Sequence, residues 1–160
     1  MNNMSFLNYT PPKTLRILFI IHYAPLLLII MIGPQSVIYN FMNIPADQVL
    51  TVISGIILFI SGSIFYFRWE WFWHQTYHGQ LVTSGIFKYI RHPHYASLLI
   101  IGYGLALFFY SIPALIIATI AIPIMMISVI DEEKYLIKQY GNEYLEFMIK
   151  TPWRIIPKVF

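Results

Sequence analysis

The sequence contains no cysteine. That excludes a disulfide framework, a thiolate nucleophile and a thiolate metal site, and it leaves the redox compartment unread. Charge is scarce as well. Only 11% of the 160 residues are charged, against 58% that are hydrophobic. An ordinary soluble domain has about a quarter of its residues charged. A chain of this length cannot hide so much apolar surface from water, so part of its solvent must be lipid. Internal repeats and low-complexity tracts are also missing. The fold class expected is all-α, a polytopic membrane protein, with the lipid bilayer as its first partner. No metal and no nucleic acid are expected.

What is there is a set of apolar runs near the length of about 20 residues that a bilayer requires. Leu15 to Gly33 is the first, and His22 and Pro25 within it allow a kink or a polar-lined surface. Its apolar stretch is too long for a signal-peptide core, and no small-residue cleavage site follows. The second runs from Val49 to about Phe67 and carries Ser54, Gly55, Ser61, Gly62 and Ser63. Small residues like these let helices approach closely, within the chain or in a partner. The third runs from about Tyr95 to Tyr110 and the fourth from Pro113 to about Ile130. Only Ser111 and Ile112 separate these two, which predicts a tight antiparallel hairpin. Both are short, and Pro123 interrupts the fourth. Four transmembrane helices are therefore expected, with a helical extension beyond the last.

The basic residues sort by side. Lys13 and Arg16 precede the first span. Arg68, Lys88 and Arg91 lie between the second and third. Lys134, Lys138, Lys150, Arg154 and Lys158 follow the fourth. The connections at Pro34 to Gln48 and at Ser111 have none. With four spans, every basic residue falls on one face. The positive-inside rule makes that face cytoplasmic, together with both termini.

The polar chemistry collects on the same face. Arg68-Trp69-Glu70-Trp71-Phe72-Trp73-His74 opens a non-apolar stretch that reaches His94. It reads as an interfacial aromatic anchor, with a stacking wall for a planar ligand as the alternative. Pro93 disfavours helix at His92 and suits the first turn that follows. His92 should sit at the mouth of span three, beside free backbone N–H groups that can receive a carboxylate or phosphate. A plain interfacial cap is the alternative. Asp131-Glu132-Glu133 emerges from span four, where an ending helix would disfavour acids. Leu136, Tyr140, Tyr144 and Phe147 continue a helical stripe beyond it. Glu132 or Glu133 faces either solvent or a cationic ligand. In the tail, Thr151-Pro152-Trp153-Arg154-Ile155-Ile156-Pro157, the planar fork of Arg154 suits a lipid phosphate or a substrate anion.

Taken in order, Leu-Val-x-x-Gly, Arg-His-Pro-x-Tyr, a Glu-Glu pair, Leu-x-x-x-Tyr-Gly-x-x-Tyr and Arg-x-Ile-Pro resemble one family. It is the superfamily of isoprenylcysteine carboxyl methyltransferases and phospholipid methyltransferases. The resemblance covers roughly Gln80 to Pro157. It implies a membrane-embedded enzyme that moves a methyl group from S-adenosylmethionine to a lipophilic or membrane-accessible small acceptor. By position, Leu81, Val82 and Phe87 would line the cofactor pocket. His92, Pro93 and Tyr95 would contact the cofactor, and Glu132 and Glu133 would be its acidic pair. Arg154 would lie near the substrate, with His92 and Arg154 as the catalytic pair. A single membrane domain over 1–160 is implied, with two spans in 1–68 and the cofactor-binding core in 69–157.

Three departures mark this chain. Phe87 stands where tyrosine is common, and Ser97 where glycine is frequent. Met125 to Ile130 carries no charge, where isoprenylcysteine-type relatives hold a substrate arginine. That argues against an isoprenylated protein as acceptor. Two other classes stay open. One is a sterol-reductase-like enzyme using NADPH, although no glycine-rich dinucleotide loop is present. The other is a non-enzymatic membrane protein whose charges only set topology.

Overall fold

The computed structural model describes residues 13–159, with side chains from His22 onward. Asn3, with its expected cytoplasmic placement, lies outside the described residues, as do the side chains of Lys13 and Arg16. Five helices follow one another: α1 Lys13–Tyr39, α2 Gln48–Thr76, α3 Pro93–Phe108, α4 Ile112–Tyr140 and α5 Asn142–Lys150. A 3-10 turn, Gly85–Lys88, precedes α3. The protein is thus all-α, as its composition predicts. Three helices, His22–Tyr39 of α1 and the whole of α2 and α4, are long and apolar enough to cross a membrane, and Pro93–Phe108 is apolar but shorter. On α2, Ile53, Ile57, Ile60, Ile64 and Phe67 form an exposed stripe at helical spacing. Such a stripe is a lipid-facing surface. The chain is an integral membrane protein.

Helix α3 is the centre of the bundle. Its residues Tyr95, Ala96, Ser97, Leu98 and Leu99 are buried in succession, which a lipid-facing helix does not do. On one side it packs against α2 in a fixed antiparallel register, with Gly55 opposite Phe108, Gly104 opposite Phe59, and Gly62 opposite Ile101. A Cβ on Gly55 would collide with the Phe108 backbone, and one on Gly104 would stand 2.5 Å from Phe59 N. The glycines of α2 therefore serve an internal seam. Ser54, Ser61 and Ser63 turn back to carbonyls of their own helix at 2.8, 3.0 and 2.7 Å. On the other side of α3 lie α1 and α4, which pack on each other through Ile29, Ala114 and Ala118.

The α3–α4 hairpin has the predicted tightness. Ser111 caps α4 by accepting from Ala114 N at 3.2 Å, and its hydroxyl meets Ser36 Oγ of α1 at 2.7 Å. Four boundaries differ from expectation. Helix α1 runs through Pro25 and Pro34 to Tyr39, and α4 runs through Pro123 without interruption. Proline removes one helical donor, a loss that packed neighbours absorb in membrane helices. Helix α2 does not stop at Phe67 but carries the aromatic segment on to Thr76. At 29 residues it is about 43 Å long, more than a hydrocarbon core of about 30 Å, so its last turns reach the interface. Finally, the stripe from Leu136 to Phe147 is not one helix. Gly141, at φ 57°, ends α4 and starts α5. The four apolar residues still converge, because α5 folds back onto Val82 and Phe87.

Candidate active site

Arg91 and His92 lead into α3, with the fully buried Pro93 as its first residue. Their backbone is not left free. Arg91 N donates to Trp153 O at 2.9 Å, and His92 N donates to Arg154 O at 2.8 Å. The tail is thereby laid against the mouth of α3, and the Arg154 side chain arrives at α4. The tail thereby also takes up the His92 N–H, outside the first turn of α3.

Glu133 is the centre of the charges. Its Oε1 accepts from Arg91 Nε at 2.9 Å and Nη2 at 2.6 Å, and its Oε2 accepts from Arg154 Nε at 3.0 Å. His92 Nε2 stands 3.3 Å from Oε1. Arg91 spends its remaining fork on Thr151 O at 2.6 Å. The side chains of Arg91, His92 and Glu133 are 3, 3 and 5% exposed. A buried ion pair survives only when its leftover donors and acceptors are also met, and here they are. Glu132 differs. It meets His92 Nδ1 at 3.6 Å and is 39% exposed. The Tyr95 hydroxyl lies beside the Glu132 carboxylate. Burial alone would lower the pKa of His92. The hydrogen bonds and charges of Glu132 and Glu133 outweigh it and hold the imidazole above its ordinary value of 6.5. With His92 protonated, three cationic side chains face two carboxylates, and Glu132 and Arg154 are the partly open members.

The structure thus brings His92, Pro93, Tyr95, Glu132, Glu133 and Arg154 together. Val82 and Phe87 are buried in the adjoining apolar cluster with Tyr144 and Phe147, and Leu81 packs at its edge. Trp69 and Trp73 turn inward against that cluster, while Trp71 points out at 71% exposure. So the aromatic segment divides between packing and anchoring. Arg91 was read only as a topological charge, yet it is the principal partner of Glu133. One signal was available. An arginine directly before a helix-starting His-Pro lies too close to the bundle to stay in water, and the acids of span four are the nearest counter-charge.

A second polar cluster adjoins the first. His94 Nε2 lies 3.2 Å from the Tyr23 hydroxyl, and its ring is 4.7 Å from Trp69 and 5.5 Å from Tyr66. His22 meets Tyr95 edge-on at 4.8 Å.

A lipid-facing helical bundle with, among the described residues, a buried charged cluster at the mouth of its central helix defines a polytopic membrane protein with a candidate site at one end. Residues 48–143 match the phospholipid methyltransferase family, and the chain belongs to that family. The matched segment holds α2 to α4 and the acidic pair, and it stops short of Arg154. No curated protein and no solved structure gives a match.

Proposed function

We propose that the cluster at the mouth of α3 binds S-adenosylmethionine and directs its methyl group to a lipophilic acceptor that arrives from the bilayer. The observation that carries this is the division of labour around Glu133. That carboxylate is closed by Arg91, Arg154 and His92, whereas Glu132 and Arg154 are 39 and 35% exposed with opposite charges. An amino acid head carries both an ammonium and a carboxylate, and such a pair can take both. The residues therefore fit the group. When bound, it supplies a methyl on a sulfonium, the difficult part of the chemistry.

The chain's own residues would then bind, orient and exclude water. Glu132 would face the cationic groups, with Tyr95 and His92 fixing its carboxylate. Arg154 would hold an anion, on the cofactor or on a phospholipid head, by its planar fork. Arg91 and Glu133 would keep these groups in place. Leu81, Val82 and Phe87 would offer the apolar side of the cofactor pocket. Methyl transfer is an in-line displacement, so rate comes chiefly from positioning and from the absence of water.

The site belongs on the cytoplasmic side in this proposal. Arg68, Lys88, Arg91, Lys134, Lys138, Lys150 and Arg154 all lie at the His92 end of their helices, and the positive-inside rule supports that side. Calorimetry in detergent tests the cofactor. S-adenosylhomocysteine should bind and NADPH should not. Binding of NADPH alone would turn the assignment to a reductase, and binding of neither would leave the charges as scaffold. Impermeant labelling of single cysteines at Gln80 and Asn43 tests the side. Labelling of Gln80 from outside intact cells would reverse the orientation.

A further inference from the structure

His94 occupies the variable place in Arg-His-Pro-x-Tyr, and its surroundings are built around it. Tyr23 of α1, Tyr66 and Trp69 of α2, and Tyr95 of α3 place their rings 4.7–6.0 Å from the imidazole. Tyr23 bonds to His94 Nε2. His94 Nδ1 is shut off from solvent and has no hydrogen-bond partner among the described residues. Such an atom costs stability while it is unmet, and a ligand is one partner that would meet it. The ring sits where a ligand can come. Helices α1 and α2 each pack on neighbours but scarcely on each other. Between them the Tyr23 and Tyr66 rings stand beside His94, on the side where the two helices part. Tyr95 is the wall shared with the charged site, since its ring meets both the His94 and the His92 rings.

We propose that His94 Nδ1 takes the proton that a methyl acceptor of the ammonium class must lose before it reacts, an inference that rests on the methyltransferase reading. A carboxylate or thiolate acceptor needs no base, whereas an ammonium has no lone pair until deprotonated. Aromatic rings suit its charge on arrival. In the step, an acceptor N–H bond breaks, its electrons stay on nitrogen, and the proton goes to Nδ1. The freed pair forms the N–C bond to the methyl carbon, whose bond to sulfur breaks with its electrons left on sulfur. Nδ1 then releases the proton to water. For this, Nε2–H must donate to the Tyr23 oxygen, which leaves the Nδ1 lone pair available. The other titratable groups around the ring are Tyr66, Tyr95, His22, His92 and Glu132.

The tautomer is measured without turnover. In the full chain labelled with ¹⁵N-histidine in detergent, His94 is assigned by the signals lost in His94→Asn. Nδ1 should be the nitrogen without hydrogen, and a protonated Nδ1 overturns the proposal. Turnover is then followed with S-adenosylmethionine and an aminophospholipid in mixed micelles. His94→Asn and His94→Leu should each lower kcat by about 100-fold or more, as loss of a general base does. KM should stay near wild type, and the pH–rate profile should lose the step set by the base and rise with pH as the free amine forms. The thermal shift with S-adenosylhomocysteine should persist in both. Normal kcat with an unchanged pH–rate profile overturns this proposal alone. If His94→Leu does not fold, the smaller polar His94→Asn decides. If the wild type shows no shift, the methyltransferase reading fails and this proposal fails with it.

Discussion

The two ends of the bundle handle buried polar groups in opposite ways. At one end, Ser36 and Ser111 share a 2.7 Å hydrogen bond, and Ser111 also caps α4. The groups are neutral, and their partners are other hydroxyls and nearby backbone. At the other end, Arg91, His92, Glu133 and Arg154 are charged, and the pairs span up to 42 residues of sequence. That end also leaves Glu132 and Arg154 partly open. Capping a hairpin requires only the first solution. The second costs desolvation that hydrophobic packing would avoid, so stability alone does not account for it.

The contrast breaks most sharply at Glu133. Glu133→Ala strands Arg91 in a buried position, and unfolding in detergent should show a loss of about 3–5 kcal/mol. A drop near zero would make the network dispensable. Glu132→Gln should do the reverse. The fold should hold, while S-adenosylhomocysteine binding weakens by about 1.5–3 kcal/mol. Solvent screening of the half-open carboxylate places the value toward the lower end. Equal affinity by calorimetry would return Glu132 to a solvated helix face.

The third effect depends on pH. Because the folded pKa of His92 is raised above 6.5, its protonated form adds stability that is fully present below that value. The contribution fades as pH rises through the folded pKa. The difference in melting temperature between wild type and His92→Gln should therefore be largest in mild acid and shrink toward alkaline pH. A difference that grows with pH contradicts the assignment. The smallest effect belongs to the quiet end. Ser36→Ala should cost about 1 kcal/mol and leave S-adenosylhomocysteine binding untouched. A change in that binding would show that the two ends communicate.

The spans and the hairpin were legible in the sequence because hydropathy and span length speak directly to lipid. So was the meeting of His92 with the acidic pair, since the Ser111 turn forces α3 and α4 side by side. The end of α2 was not. Tryptophan and phenylalanine at an interface read alike whether the backbone is helical or not, and only the packing of Trp73 on Phe87, with Trp69 against the same cluster, settles it. The break at Gly141 was hidden by a stripe whose period survives it. The different positions of Glu132 and Glu133 were also hidden. Adjacent helical residues point about 100° apart, and which one faces the arginines depends on the rotation of α4, which is set by packing on α1 and α3. The departures at Phe87 and Ser97 have structural places. Phe87 is buried among Trp73, Tyr144 and Phe147, and Ser97 turns its hydroxyl to His94 O at 2.6 Å.

The pairing of residues 91–92 with residues 153–154 has a consequence for biogenesis. The hairpin of α3 and α4 leaves the ribosome before the strand that closes its mouth. Until that strand arrives, Glu133 Oε2 lacks Arg154, and the Arg91 fork lacks Thr151 O. The nascent hairpin nevertheless already holds Arg91, His92 and Glu133 together, so neither sign of charge is left without a partner. The cluster is then completed by residues that follow, in chain order, every helix around it.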